Sequence, residues 1–275
     1  MMKLYHYRTS VCSEKVRMVL FEKQLKWDSV EVDLFKGGQF DPEYLKLNPK
    51  AVVPTLVTDG RALTESTLIA EYLDDAYPNP PLRPADPKER LEMRLYTKAC
   101  DEGLHQGVAV FSYSTMFRDR LLKLDDATRA KHMARIVDLD RRDRQLAVLA
   151  QATDAPHVYR GVAAYEKIFK KIDKALSDGR QWLTGDMFSL AEIALSTYVA
   201  RLDYMNTLDV WIGERPRVQD WFKRIKARPC YKAEVMDWTN DAEIKEMHDA
   251  GTKAKDKFAE KRKHYLANDF GAAYA

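Results

Sequence analysis

Residues 8–20, Arg-Thr-Ser-Val-Cys-Ser-Glu-Lys-Val-Arg-Met-Val-Leu, decide how the first part of this chain folds. The stretch follows a short strand-like run, Lys3 to Tyr7, and continues into apolar residues at helical spacing. Ser10, Cys12 and Ser13 therefore fall in a strand-to-helix turn. The first N–H groups of a helix lack partners within the helix and carry partial positive charge. We therefore expect this turn to bind an anion such as a thiolate or a carboxylate.

Two interpretations of these three residues are open from the local sequence. A serine at this place is a good N-cap, and a single cysteine is often a small buried apolar residue. Alternatively, a hydroxyl donates a hydrogen bond to the thiolate of a ligand, or Cys12 is itself the thiolate.

The overall composition excludes several classes of protein. Lysine and arginine number 45 against 42 aspartate and glutamate, a net charge of only +3, so the chain lacks the basic surplus of a nucleic-acid-binding protein. No apolar run has the length of a signal peptide or a membrane span, which predicts a cytoplasmic protein without membrane contact. Three widely spaced cysteines, Cys12, Cys100 and Cys230, argue against a disulfide framework.

Motifs for common cofactors are missing from the sequence. There is no Gly-x-Gly-x-x-Gly, no Walker-type Gly-Lys-Ser or Gly-Lys-Thr, and no His-x-x-x-His or Cys-x-x-Cys pair. We therefore predict neither a nucleotide cofactor nor a metal site.

The order of elements after the first helix can be predicted from local signals. Trp27 to Asp33 alternates and is rich in valine, which indicates a second strand and a β-α-β start. Asp41-Pro42 is the start of a short helix, and Asp59-Gly60 is a tight hairpin signal. A helix is then predicted from Glu65-Ser66 to about Tyr77.

Two of these segments can hold a peptide ligand. Pro54 stands at the mouth of an apolar strand, and a cis Val53–Pro54 bond would turn the Val53 N–H and C=O outward to pair with an extended peptide. The alternative is an ordinary trans strand start. Glu65 and Ser66 either cap the following helix or, with its free N–H groups, hold an amino-acid head group.

These motifs, in this order and spacing, resemble the thioredoxin-like half of cytosolic glutathione S-transferases over residues 3–77. The resemblance implies that glutathione is the cofactor. It implies the following site residues: catalytic Ser10, Cys12 and Ser13, and glutathione-binding Gln39, Lys50, Val53, Pro54, Glu65 and Ser66.

The resemblance also implies a fold of an α/β domain followed by an all-α domain. We expect residues 1–78 to form the thioredoxin-like glutathione-binding domain and residues 79–86, rich in proline, to form a linker. Residues 87–275 are then a helical-bundle substrate-binding domain with a C-terminal extension. Within it, the pattern predicts one charged helix from Asp125 or Asp126 to about Ala150. The last run, 241–275, is either an appended helix or a mobile tail.

A capping box, Ser189-Leu-Ala-Glu192, precedes an apolar helix that is predicted to be buried at the centre of the helical domain. Members of the resembled family carry a similar box with aspartate in the last position. Glutamate preserves its chemistry, because either carboxylate reaches the cap N–H.

Details within the resemblance point to bacterial members that act on aromatic compounds. The turn, with Val16-Arg17, is similar to zeta-type transferases and tetrachlorohydroquinone dehalogenases, in which the Ser10 equivalent assists the thiolate and the Cys12 equivalent processes thiol adducts. Leu82 to Pro87 and the charged insertion are similar to β-etherases, in which the Ser13 equivalent is the thiolate partner.

We therefore expect a glutathione S-transferase that attacks an aromatic or aryl-ether electrophile as a thiolate. The alternatives are a reductive dehalogenase, deglutathionylase or isomerase that uses Cys12, and a non-catalytic glutathione-binding protein. The expected partners are a small aromatic electrophile and a second copy of the chain in a homodimer, without nucleic acid or membrane. Aromatic and soft side chains are interpreted as contacts for the electrophile: Phe111, Tyr113, Met116 and Phe117.

Overall fold

The computed structural model describes residues 2–268 of the chain. These residues form two compact units. The first unit comprises the chain up to Thr97 together with Gln181–Thr197 and Lys223–Asn240, and the second comprises Lys98–Arg180, Tyr198–Phe222 and the chain from Asp241 onward.

The first unit is built on a four-stranded mixed sheet with the strand order β2-β1-β3-β4. Its strands are β1 (Met2–His6), β2 (Trp27–Glu31), β3 (Thr55–Thr58) and β4 (Arg61–Leu63), and its first helices are α1 (Val11–Glu22), α2 (Pro42–Leu47) and α3 (Ser66–Ala76). Strand β1 is parallel to β2 and antiparallel to β3, and β3 and β4 form an antiparallel hairpin. Leu4 and Leu56 face each other across β1 and β3, and both are fully buried. The predicted β-α-β-α-β-β-α order is confirmed.

Local sequence chemistry explains where these elements begin and end. Asp59 and Gly60 have φ angles of 50° and 75°, the left-handed conformations that a two-residue hairpin turn needs. The Asp41 carboxylate accepts a hydrogen bond from the Glu43 N–H at 2.8 Å, and Pro42 occupies the first helical position. Gly38–Phe40 adds one 3-10 turn before α2.

The rest of the described chain is helical. Its α-helices are α4 (Pro87–Ala99), α5 (His105–Ser112), α6 (Arg118–Leu122), α7 (Asp126–Ala134), α8 (Leu139–Gln151), α9 (Pro156–Ala175), α10 (Leu190–Tyr204), α11 (Asp209–Ile212), α12 (Pro216–Lys226), α13 (Pro229–Tyr231) and α14 (Asp241–Ala267). Short 3-10 turns follow α8 and α9 at Ala152–Asp154 and Leu176–Asp178, and π-helical turns occur at Cys100–Leu104, Tyr113–Phe117 and Lys232–Met236. None of the helices within residues 2–268 is long and apolar enough to cross a membrane.

The prediction of one charged helix from residue 125 to about residue 150 is wrong. Asp125 caps α7 as expected, but that helix ends at Ala134, and Asp138 caps a separate α8 by accepting from the Arg141 N–H at 2.8 Å. Met133 and Ile136 are buried in a small apolar cluster with Leu121. A second N-cap and this local cluster outweigh the continuous helical pattern of the sequence.

The predicted capping box is present at the start of α10. Glu192 accepts from the Ser189 N–H at 3.0 Å and from the Ser189 hydroxyl at 2.7 Å, and its other oxygen accepts from the Leu183 N–H at 2.6 Å. Burial raises the pKa of the Glu192 carboxyl, although these three donors oppose the shift. The helix it opens is buried on nearly all sides, as the apolar pattern predicts.

Aromatic packing forms the core of the second unit. Phe111 is fully buried and lies 4.7 Å from Phe258, 5.5 Å from Tyr165 and 5.6 Å from Trp211, measured between ring centroids. The interpretation of Phe111 as a contact for the electrophile is therefore wrong. Its ring is enclosed by other core rings on several elements, which a single-helix pattern cannot show.

The C-terminal run is an appended helix over residues 241–267, so one of the two expected alternatives is correct for this part. Phe258 of α14 is fully buried in the aromatic core. Gly251 approaches the chain so closely that an added Cβ would lie 1.9 Å from the Met205 carbonyl oxygen. Helix α14 is thus a structural part of the second unit, and residues 269–275 lie outside the described residues.

Candidate active site

The turn between β1 and α1 is held by hydrogen bonds from both of its serines. The Ser10 side chain caps α1 and accepts from the Ser13 N–H at 3.4 Å. The Ser13 hydroxyl oxygen accepts from the Tyr7 N–H at 3.3 Å, and the Ser10 N–H donates to the Tyr7 carbonyl at 3.1 Å. Capping and site formation therefore use the same side chains, so the two interpretations of this turn are not exclusive.

The three predicted catalytic side chains differ in accessibility. Ser13 is fully buried, whereas Ser10 and Cys12 are partly exposed. Cys12 forms no disulfide. Within residues 2–268, the Val11 N–H at the start of α1 has no hydrogen-bond acceptor. The start of α1 thus combines a partly exposed hydroxyl, a partly exposed thiol and an N–H without an acceptor, groups that suit an anion.

The second predicted segment is ordered around Val53 and Pro54. The Val53–Pro54 peptide bond is cis. The Tyr44 hydroxyl and the Asn48 amide donate to the Val52 carbonyl at 2.5 and 2.9 Å, which fixes the chain just before it. Within the described part of the chain, the Val53 N–H and C=O have no hydrogen-bond partners. A pair of unused main-chain groups beside a strand is what an extended peptide needs for backbone pairing.

Glu65 has an unusual conformation at the start of α3. Its φ angle is 67°, in a region that non-glycine residues rarely adopt, and its side chain does not cap the helix. Instead, its carboxylate pairs with the Lys50 ammonium at 2.6 Å. Ser66 is the first residue of α3 and is largely buried. Strained backbone of this kind often marks a functional site, and here it brings two predicted glutathione-binding residues, Lys50 and Glu65, into contact.

Gln39 is buried in the 3-10 turn before α2, with 4% of its surface exposed. Its Oε1 atom is enclosed and has no hydrogen-bond partner among the described residues. A buried acceptor without a donor is costly, so a ligand N–H or hydroxyl at this place would stabilise it. Together with Val53 and the Val11 N–H, this gives unused polar groups on three of the predicted site segments, which is a chemical fit to a small peptide with a thiolate.

Two residues with direct contacts around the turn were missed as site residues. Lys15 and Arg17, both on α1, are buried although they are charged. The Lys15 ammonium donates to the Thr67 hydroxyl at 2.9 Å, which links α1 to the first turn of α3. Arg17 contacts the main chain before the turn, at the Arg8 carbonyl. No sequence signal reveals this, because a lysine or arginine on an amphipathic helix is normally solvated.

The fold defines a thioredoxin-like protein with a helix N-terminus after its first strand and unpaired main-chain groups at Val53, joined to a helical second part. Family models agree with this class: the glutathione S-transferase N-terminal domain matches residues 4–81, and the glutathione S-transferase C-terminal domain matches residues 139–224. The matches cover more than half of the chain.

Individual relatives also agree with this class of protein. Tetrachloro-p-hydroquinone reductive dehalogenase of Sphingobium chlorophenolicum is 32% identical over 85% of this chain and 95% of its own length. Protein LigF of Sphingobium sp. (strain NBRC 103272 / SYK-6) is 31% identical over 84% of this chain and 91% of its own. The crystal structure of the β-etherase LigF covers 86% of this chain and 99% of its own, with a TM-score of 0.77 and 26% identity.

The chain therefore belongs to the glutathione S-transferase family. It is a glutathione-using transferase, as the resemblance implied, and its thioredoxin-like and helical parts are those of the family.

Proposed function

We propose that this protein activates glutathione as a thiolate at the β1–α1 turn for attack on an aromatic or aryl-ether electrophile, in the manner of a β-etherase. The observation that carries the proposal is the turn itself, where the partly exposed Ser10 and Cys12 flank Val11, whose N–H has no acceptor among the described residues. A free thiol with a pKa of about 8.5 is only a few per cent ionised at neutral pH. A hydroxyl donor and a helix N-terminus lower that pKa by about one to two units.

Each part of the site has a separate task in this mechanism. Ser10 donates its hydroxyl hydrogen to the sulfur, while Ser13, buried beneath, holds the Tyr7 main chain. The Val53 N–H and C=O pair with the ligand's main chain, as a neighbouring strand would. Bound glutathione supplies the sulfur nucleophile, which bonds to carbon as the carbon–oxygen or carbon–halogen bond breaks and the leaving phenoxide or halide takes the electron pair.

The ends of the peptide are held by the remaining predicted residues. Glu65 and Ser66 at the start of α3 are suited to an ammonium and a carboxylate, with Lys50 paired to Glu65. The unpartnered Gln39 Oε1 accepts from a donor on the ligand. We assign glutathione binding to Gln39, Lys50, Val53–Pro54, Glu65 and Ser66 on this basis.

A second candidate function uses Cys12, because it forms no disulfide and is partly exposed on α1. In that reaction the Cys12 thiolate attacks the sulfur of a glutathionyl aryl thioether, a disulfide forms between Cys12 and glutathione, the sulfur–carbon bond breaks and the ring carbon takes up a proton; a second glutathione thiolate then reduces this disulfide, which releases Cys12 and leaves oxidised glutathione. The relative that is a tetrachloro-p-hydroquinone reductive dehalogenase supports this candidate, and LigF, a β-etherase, supports the first.

We further propose that the protein is a cytoplasmic homodimer. None of its three cysteines forms a disulfide, which suits a reducing compartment. The dimer is proposed from the family to which the chain belongs.

Serine substitutions test the thiolate site. The ultraviolet absorbance of the thiolate is titrated with pH in the glutathione complex of the parent protein, Ser10→Ala and Ser13→Ala. We expect Ser10→Ala to raise the pKa of the bound thiol by at least about one unit, since it removes the proposed donor. Ser13→Ala removes the acceptor of the Tyr7 N–H and costs about 1 kcal/mol of stability, and it should raise the thiol pKa by less than Ser10→Ala does, because it acts only through the position of the turn. A parent protein that binds glutathione without lowering its thiol pKa would be a binding protein rather than an enzyme.

Cys12→Ala separates the two candidate reactions. The variant and the parent are assayed with glutathione against an aryl ether and a chlorinated hydroquinone. Retained aryl-ether cleavage in Cys12→Ala supports the first candidate. Halide release that persists in the variant while the glutathionyl adduct accumulates in place of the reduced hydroquinone that the parent forms, without any ether cleavage in either, would support the second.

A further inference from the structure

Arg17 is a fully buried guanidinium one helical turn after Ser13. Its Nη2 donates to the Arg8 carbonyl at 2.9 Å and to the Glu234 carbonyl at 2.7 Å. Its Nε donates to the same Glu234 carbonyl at 3.2 Å, and its Nη1 donates to His6 Nδ1 at 3.2 Å. The Glu234 carboxylate lies 3.6 Å away. One side chain thus joins the end of β1, the chain just after it, and a segment more than 200 residues later.

The contact with Arg8 brings Arg17 against the main chain that enters the proposed thiolate site. Arg8 is two residues before Ser10, so its carbonyl lies where the chain enters the turn. The Tyr7 N–H, one residue earlier, is held by the Ser13 hydroxyl. Two consecutive main-chain units before Ser10 are therefore fixed by side chains of α1, and the position of the Ser10 hydroxyl depends on both.

Residues 228–238, here called the strap, hold Arg17 in this position. The Trp238 ring covers the guanidinium, with 4.7 Å between Cζ and the ring centroid, and its N–H donates to the Glu234 carboxylate at 3.1 Å. Trp238 also stacks on Trp27 of β2 at 6.1 Å and meets the edge of His6 at 4.8 Å. The other end of the strap is attached separately, through the Arg228 guanidinium and the Glu22 carboxylate at 3.0 Å.

The chemistry of these contacts requires arginine rather than a generic cation. A guanidinium has five N–H donors in a fixed plane, whereas an ammonium has three donors at one point. Since arginine only donates, His6 Nδ1 is the acceptor, and a neutral His6 then donates from Nε2 to the Ser29 hydroxyl at 2.8 Å. Burial, followed by the Arg17 charge, lowers the pKa of His6 to about 3, so His6 is neutral at physiological pH. His6 and Glu234 are two titratable groups that contact the guanidinium.

We propose that Arg17 is a positioning residue for the thiolate site: its guanidinium fixes the main chain leading into the β1–α1 turn, and the strap fixes the guanidinium. This role rests on the proposed function of the turn. Arg17 touches neither glutathione nor the electrophile, and it acts through the placement of Ser10.

The test compares Arg17→Lys with Arg228→Gln in the full-length protein. Arg17→Lys keeps the buried charge and removes the planar fork, so its effect reports geometry rather than charge. Small displacements of a catalytic group cost about tenfold to a hundredfold in rate. We expect kcat to fall at least about tenfold, the pKa of the bound glutathione thiol to rise toward that of free glutathione, and KM for glutathione to change by less than about threefold. Arg228→Gln releases the far end of the strap and should lower stability, with a much smaller effect on kcat and on the thiol titration than Arg17→Lys, because Glu234 and Trp238 still hold the guanidinium.

Each outcome decides the proposal. Parent-like kcat and thiol titration in Arg17→Lys would overturn it, and so would an equal loss of kcat in Arg228→Gln, which would indicate general loosening. If Arg17→Lys does not fold, Trp238→Phe replaces it, since that variant keeps an aromatic ring beside the guanidinium but loses the N–H to Glu234 and part of the ring system that stacks on Trp27. It should shift the thiol pKa in the same direction by a smaller amount, and no shift would overturn the proposal. A changed titration in Arg17→Lys beside an unchanged one in Ser10→Ala would overturn the role of Ser10 and the route by which Arg17 is proposed to act, whereas a parent-like Arg17→Lys beside a changed Ser10→Ala would overturn the role of Arg17 alone.

Discussion

Replacing His6 with glutamine should remove much of the acid sensitivity of this protein. His6 is fully buried at the end of β1, and burial together with the Arg17 charge lowers its pKa from 6.5 to about 3. A group whose pKa is lower in the folded state takes up its proton more readily when the chain unfolds. Stability contributed by neutral His6 is therefore complete above pH 6.5 and is lost progressively as the pH falls toward 3.

The size of the effect follows from the shift. Each pKa unit corresponds to about 1.4 kcal/mol, so between pH 7.5 and pH 5.0 the parent should lose about 2 kcal/mol of unfolding free energy through this one residue. His6→Gln cannot titrate and should lack that component. Its stability at pH 7.5 will be lower than that of the parent, because the glutamine side chain cannot keep both hydrogen bonds of His6, the one from Arg17 and the one to Ser29. The pH dependence, rather than the absolute stability, is the quantity compared.

Urea denaturation of both proteins at pH 7.5, 6.0 and 5.0 measures the difference. Other acidic groups titrate equally in the two proteins and cancel in the comparison. Proton magnetic resonance of the His6 ring provides a direct check, because its signals should not shift with pH above about 4. Parallel stability curves for parent and variant, or a His6 titration near pH 6.5, would refute the reasoning and the buried contact between His6 and Arg17 on which it depends.

Two further substitutions test packing and capping. Gly251→Ala should destabilise the protein by about 1–3 kcal/mol despite the better helix propensity of alanine, because the new methyl group meets the Met205 carbonyl and α14 has to move. Thermal unfolding of this variant is compared with that of the exposed control Lys253→Ala, and equal stability of the two would contradict the prediction. Glu192→Gln should lower the free energy of unfolding by about 1–3 kcal/mol, since an amide has one acceptor oxygen whereas the two carboxylate oxygens accept from two buried main-chain N–H groups. An unchanged midpoint in urea denaturation would show that these hydrogen bonds do not stabilise the fold.

The order of elements in the first unit was predictable because its signals are local. A turn such as Asp59-Gly60, an N-cap such as Asp41 and the alternation of Trp27 to Asp33 each depend on a few neighbouring residues. Helices in the second part were predictable in type but less so in extent. The break before Asp138 depends on burial of Met133 and Ile136, which no pattern of eight or ten residues reports.

The site residues, too, were predictable from the sequence only in part. The sequence singled out Ser10, Cys12, Ser13 and Glu65 because polar side chains at helix starts either cap the helix or bind an anion, and because the order and spacing of their motifs resemble a known family. It did not reveal that Ser13 would be buried while Ser10 stays accessible. That difference depends on which side of the first helical turn the rest of the unit covers.

The amino-acid sequence by itself determined the β-α-β start, the turn that carries the serines and the thiol, and the family to which the chain belongs. Tertiary structure alone decided that Arg17 is buried and hydrogen-bonded rather than solvated, because its guanidinium donates to the carbonyls of Arg8 and Glu234, which lie far apart along the chain. The hydrogen bonds within a helix are determined by residues that are close together in the sequence. The burial of a charge is decided by whichever distant segment supplies its acceptors.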